Sequence, residues 1–185
     1  VLVLVLLLSP LLAQKPDPPL PAHEASAKKA REVLDRAVQA LGGRAYLEVR
    51  DLHQRGRTSR FYRGSPSGVG APFHRYWKAP DKERIEHFKR RDWIIIHSGD
   101  LGFDVTFRGT RKEDAADLAE YLRRRNHSLD SLLRQWLSSP DLMLSYQGLA
   151  LSDRKQVEKV TLLRPGFHTV VVFVDTASHL PLRTF

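Results

Sequence analysis

The stretch Trp93-Ile94-Ile95-Ile96-His97-Ser98-Gly99-Asp100-Leu101-Gly102-Phe103-Asp104-Val105-Thr106-Phe107 is two extended runs joined by turn residues. In the second run Leu101, Phe103, Val105 and Phe107 fall on one face, because successive side chains of a strand point to opposite faces. Ser98-Gly99-Asp100 is too short for a crossover helix, so the two strands pair antiparallel. The same period of two extends backwards and predicts strands near Leu52 to Tyr62, Val69 to Lys78 and Glu83 to Lys89. Gly64-Ser65-Pro66-Ser67-Gly68 and Ala79-Pro80-Asp81 read as the connecting loops, and the whole as an antiparallel meander.

Helical patterns flank and interrupt the strands. Ser26 is placed to cap a helix whose stripe is Ala30, Val33, Leu34, Ala37, Val38 and Leu41, with Gly42 and Gly43 ending it. Downstream, Glu113 to Arg125 carries Ala115, Leu118, Ala119 and Leu122 on one face. Its last turn is Arg123, Arg124 and Arg125, where cations suit the helix dipole. Ser128 caps a following helix with Leu129, Leu132, Leu133, Trp136 and Leu137, which Pro140 stops. Strands resume near Leu142 to Tyr146, Gln156 to Arg164, Phe167 to Val174 and Leu180 to Phe185.

Composition narrows the function classes. The 185 residues hold no cysteine, which excludes disulfides, thiolate metal sites and cysteine nucleophiles. With 42% apolar and 28% charged residues the chain is of globular type. Val1 to Ala13 stand apart: an apolar run too short to span a bilayer, ending in a small residue, reads as the h-region of a signal peptide whose n-region is missing. Residues 14–25 read as a Pro-rich spacer and 26–185 as one domain, expected to continue past Phe185 because the chain stops inside a strand pattern. Export to the periplasm as a soluble protein follows.

Catalytic signatures fail. Gly64 to Gly68 has Pro66 where a nucleophile elbow needs its nucleophile. His23-Glu24 opens a zinc-protease pattern that no later histidine completes. The histidines never recur at i, i+4, and His53, His74, His87, His97, His168 and His179 fall one to a strand or turn, as satisfied or surface groups do. No glycine-rich loop joins a strand to a helix. The expectation is a protein that is not an enzyme, with no metal and no cofactor. The net charge of +9 includes Arg55, Arg57, Arg60, Arg63, Lys89, Arg90, Arg91 and the Arg123 to Arg125 run. No base-reading helix accompanies it, so nucleic acid is not the expected partner. Transient contact with an anionic membrane surface or envelope proteins is.

Phe103, Val105 and Phe107 on the strand, with Leu118, Leu122, Leu129, Leu132, Leu133 and Trp136 on the two helices, supply more apolar surface than one thin layer needs. They form either plain core or the wall of a cavity for an apolar ligand.

Tyr76-Trp77-Lys78-Ala79-Pro80-Asp81-Lys82, then Arg84-Ile85-Glu86, then the turn into Gly102-Phe103 resembles the periplasmic outer-membrane lipoprotein carrier superfamily (LolA/LolB-like). The resemblance implies an α+β fold, a strongly curved antiparallel half-barrel sheet with helices covering its concave face and acyl chains held between. It implies a carrier for a lipid or a lipoprotein acyl chain; those nine residues are then the expected cavity, and residues 112–139, bounded by turn-prone ends and offering one apolar face, the expected lid. The competing reading is a structural or sensory module of the same fold with a filled core. Signal cleavage is testable directly: N-terminal sequencing of the exported product is expected to begin at Gln14, and a membrane-pelleting product that retains Val1 would refute it.

Overall fold

The computed structural model describes residues 21–166 and 169–185, so the apolar run, residues 14–20 and Phe167-His168 lie outside the described residues. Helix α1, Ala22–Ala40, and the single turn α2, Arg44–Leu47, lead into six strands: β1 Asp51–Tyr62, β2 Ser65–Lys78, β3 Lys82–His87, β4 Trp93–Ser98, β5 Leu101–Thr106 and β6 Gly109–Lys112. Helices α3, Ala115–Asn126, and α4, Leu129–Arg134, follow with a 3-10 turn, Trp136–Ser138. Strands β7 Met143–Ser152, β8 Lys155–Leu163, β9 Val170–Asp175 and β10 Pro181–Thr184 complete the chain. The architecture is α+β, and every strand pair is antiparallel.

The strands form two sheets where one continuous sheet was expected: a meander β1 to β6, and a four-stranded sheet in the order β10-β9-β8-β7. The cause is local. After β6 the chain leaves for α3 and α4, and β7 hydrogen-bonds to β8 instead of returning to β6.

Several element boundaries differ from those the local pattern predicts. The 64–68 loop shrinks to Arg63 and Gly64, both at positive φ (49° and 79°), the two-residue hairpin turn that suits strand twist. Gly109, at φ 109°, adds the unforeseen β6 by turning the chain back on β5. Helix α1 starts after Pro21, so residues 22–25 belong to it and not to a spacer. Ser26 lies inside it, accepting from Tyr146 N at 2.9 Å. Asp114 caps α3 through Ala116 N (2.8 Å), and Ser128 caps α4 through Ser131 N as read.

The core lies on the four-stranded sheet. Ala30, Val33, Leu34, Ala37 and Val38 of α1 pack with Leu132, Leu133, Trp136 and Leu137 against Val160, Leu162, Val170, Val172 and Val174. The α1 stripe is the one its 3.6 period marks out, and β8 and β9 bury alternate residues. Trp136 is 2% exposed, so Trp136→Ala is expected to cost about 3 to 5 kcal/mol by a urea midpoint. Trp77, half-buried under the Arg134 guanidinium (5.5 Å), is expected to cost clearly less.

Candidate functional site

The registers of the six-stranded sheet decide which side chains face α3. Glu83 pairs with His97 and His97 with Gly102; Ile95 pairs with Asp104 and Asp104 with Arg111. Paired residues share a face, so Glu83, His97, Gly102 and Asp104 lie together. This is the covered face. His97 Nε2 donates to Glu113 Oε2 (2.8 Å), its ring stacks on Tyr121 of α3 at 3.4 Å, and Glu113 N donates to Gly102 O at 3.0 Å. A Cβ on Gly102 would run into Glu113 and Leu118, so the missing side chain is what lets α3 approach.

A charged network fills this interface. His97 is 3% exposed, with Nδ1 3.7 Å from Glu83 Oε2, and Arg75 Nε donates to Glu83 Oε1. One strand pair on, Asp104 accepts from Trp93 Nε1 (3.3 Å) and Arg111 Nη2 (2.8 Å). Burial pushes the Tyr121 hydroxyl up to about 12, and the nearby Glu83 charge adds to this. The phenol therefore stays protonated. Among the described residues no group of three or more His, Asp and Glu is placed to hold a metal ion.

Beside this network a cleft of about 230 Å³ opens between the sheet and the α3–α4 segment. Arg75, Arg124, Arg125 and Arg134 line it with Glu83 and Asp130, so its charge is positive. Two of these guanidinium groups are held by a carbonyl and a carboxylate each: Arg125 donates to Gly99 O (2.7 Å) and Asp100 Oδ1 (3.3 Å), and Arg134 donates to Val49 O (3.2 Å) with Asp130 Oδ1 3.6 Å away. Trp77 and Tyr121 form its aromatic walls. Such forks, held in place before any ligand arrives, suit an oxyanion.

The nine residues expected to surround an apolar ligand are divided by the structure. Leu132, Leu133 and Trp136 are core, with Leu129 packed against it. Phe103 and Val105 share the face opposite Gly102 and Asp104, away from α3, because the Gly99 turn sets His97 across from Gly102. Phe107 lies beyond β5 and is fully exposed. Leu118 and Leu122 alone of the nine are half-buried on α3, with Leu118 against Gly102. The expected lid is likewise split, since α4 and the 3-10 turn belong to the core. Arg75, Glu83, His97, Glu113 and Tyr121 were not foreseen as a cluster. The readable signal was an ionisable side chain at facing strand positions, Glu83 on β3 and His97 on β4.

No family model and no curated protein matches this chain. Among solved structures it is similar to a DUF1329 family protein from Desulfovibrio piger (14% identity, TM-score 0.47, covering 84% of this chain and 72% of that one). It is also similar to a LolA superfamily protein from Nitrosomonas europaea (8%, 0.42, 84% and 70%). A third is the Mycobacterium tuberculosis lipoprotein LppX (16%, 0.35, 86% and 87%). Among the described residues no helix is long and apolar enough to cross a membrane.

Acid titration tests the network. Burial pushes the Glu83 carboxyl up, but His97 and Arg75 outweigh it and hold the group below its ordinary 4.5. A carboxyl depressed by folding stabilises the protein above its unfolded-chain pKa, and that contribution is lost as pH falls through the folded-state value. Melting temperature is therefore expected to fall on acidification below about pH 4.5. Glu83→Gln should start lower at neutral pH and show a flatter acid limb; a limb as steep as wild type would exclude Glu83 as its source.

Proposed function

We propose that this is a non-enzymatic binding protein of the bacterial cell envelope, exported and soluble after signal cleavage, that carries a hydrophobic ligand such as a lipid or a lipoprotein acyl chain. The ligand lies between α3 and the six-stranded sheet, touching Leu118 and Leu122. It is handed over at an anionic membrane surface or to an envelope partner.

The observation that carries this reading is the packing of α3. The helix is amphipathic and lies over the sheet, yet none of its residues is fully buried, whereas α1 buries Val33 and Leu34 and α4 buries Leu132 and Leu133. Its ends are held by polar bonds, Glu113 to His97 and Arg125 to Gly99, which water can replace when they part. An element held this way can open without unfolding the core. Uptake would be driven by about 0.8 kcal/mol for each CH₂ removed from water. The positive cleft beside α3 suits an acidic headgroup.

A filled-core module acting through protein contacts is the second reading, favoured by the burial of Leu132, Leu133 and Trp136. The two separate experimentally. In the carrier, wild type binds a fluorescent fatty-acyl probe and releases co-purified lipid in native mass spectrometry. Leu118→Asn and Leu122→Asn should then weaken probe binding by about tenfold with little change in urea midpoint. Leu133→Asn should unfold the protein before binding is measured. A wild type with neither probe binding nor co-purified lipid would leave the filled-core module.

A further inference from the structure

In an antiparallel meander the connections alternate between the two ends of the sheet, and here the ends differ in chemistry. The β2–β3 and β4–β5 turns share one end, where Lys78 and Lys82 are balanced by Asp81 and Asp100. The β1–β2, β3–β4 and β5–β6 turns share the other. Each of these three carries an exposed aromatic residue beside a cation. Phe107 is 87% exposed with the Arg108 guanidinium 5.3 Å from its ring. Phe88 is 45% exposed and leads into Lys89, Arg90 and Arg91, all exposed. Phe61 and Tyr62 are 68% and 67% exposed, with Arg63 5.3 Å from the Tyr62 ring.

The registers also set their heights. His87 pairs with Trp93, and Ile94 with Val105, so the β3–β4 and β5–β6 tips stand level. Beyond Phe73, the last β2 residue paired with β3, β1 and β2 continue as a two-stranded arm to Tyr62 and Ser65. At about 3.3 Å per residue the six residues that follow Gly56, up to Tyr62, carry the arm roughly 20 Å past the last β2–β3 pair. Arg55 and Arg57 lie along β1, both exposed.

We propose that this end of the sheet docks on an anionic lipid membrane, with Phe88 and Phe107 inserted at the headgroup level and the β1–β2 arm laid against the surface. Charge complementarity selects this occupant. Lys89, Arg90, Arg91, Arg108 and Arg63 face Asp92 as the acidic residue among the turns, so the end is strongly positive. Anionic lipid attracts such clusters within a Debye length. Aromatic rings beside cations match the boundary between acyl chains and headgroups, where the ring is buried and the charge stays wet. A protein partner would have to cover two level tips and an arm that reaches well beyond them, whereas a fluid surface conforms to both. The surface lies apart from Leu118 and Leu122, so this docking stands or falls independently of acyl-chain binding.

Vesicle flotation tests it, using phosphatidylcholine vesicles with and without phosphatidylglycerol. Wild type is expected to float with the phosphatidylglycerol vesicles, to stay behind with phosphatidylcholine alone, and to be released by high salt. Arg90→Gln with Arg108→Gln, and separately Phe88→Ala with Phe107→Ala, should each lower partitioning by about tenfold. Leu101→Ala at the opposite end should not. Melting temperatures of the exposed-site variants check that folding is intact. Failure to bind either vesicle, equal binding to both, or variants that float like wild type would overturn the proposal, and the first outcome would assign the tips to a protein partner. Fatty-acyl probe binding, measured without vesicles on the same samples, separates this result from the fate of the carrier reading.

Discussion

His97 joins the six-stranded sheet to the helix that covers it. Its imidazole is enclosed by Glu83 from the neighbouring strand, Glu113 from the approach to α3 and the Tyr121 ring from α3 itself. A buried polar group of this kind costs desolvation that its hydrogen bonds offset, and leaving it without a partner costs about 1 to 3 kcal/mol. The position of α3 therefore depends on polar contacts that must all be made together. Gly102, across the hairpin from His97, supplies the room for them.

That arrangement divides the covering segment into two kinds of structure. Helix α4 and the 3-10 turn are sealed into the apolar core with α1, where a close-packed stripe leaves no freedom to move singly. Helix α3 is bound through charged and hydrogen-bonded groups over a face that also carries Arg75, Glu83 and Asp104. Polar contacts can be exchanged for water, and packed methyl groups cannot be exposed without losing their burial. The change from polar to apolar attachment falls at Ser128, whose hydroxyl donates to Arg125 O at 2.8 Å and caps the next helix.

The six-stranded sheet is also asymmetric along its strands. Its two faces divide at β4 and β5 into a charged side under α3 and an apolar side bearing Ile94, Ile96, Phe103 and Val105. Its two ends divide into balanced turns and turns rich in arginine and aromatic residues. Gly56 marks a further adaptation: a Cβ there would meet the Phe73 ring, so the long arm leaves its base with the ring lying over bare backbone. A lateral stack of His53 on Tyr76, 4.5 Å apart between paired positions, lies on the opposite face within the sheet, before the arm begins.

Local pattern was enough for much of this. The period of two determined the meander, the period of 3.6 determined the α1 stripe from Ala30 to Val38, and Ser128 announced its helix, because strand alternation, helical repeat and capping are properties of neighbouring residues. Composition likewise determined the absence of cysteine chemistry. The tertiary structure decided what local pattern does not encode: that β6 and β7 part into different sheets, that Leu132, Leu133 and Trp136 join α1, and that Phe103 and Val105 point away from α3. It also brought Glu83, His97, Glu113 and Tyr121 together from two strands, a helix and the connection that precedes it. Alternation says that two faces differ, while the choice of which face a distant helix covers is made by long-range packing and by a single missing side chain at Gly102.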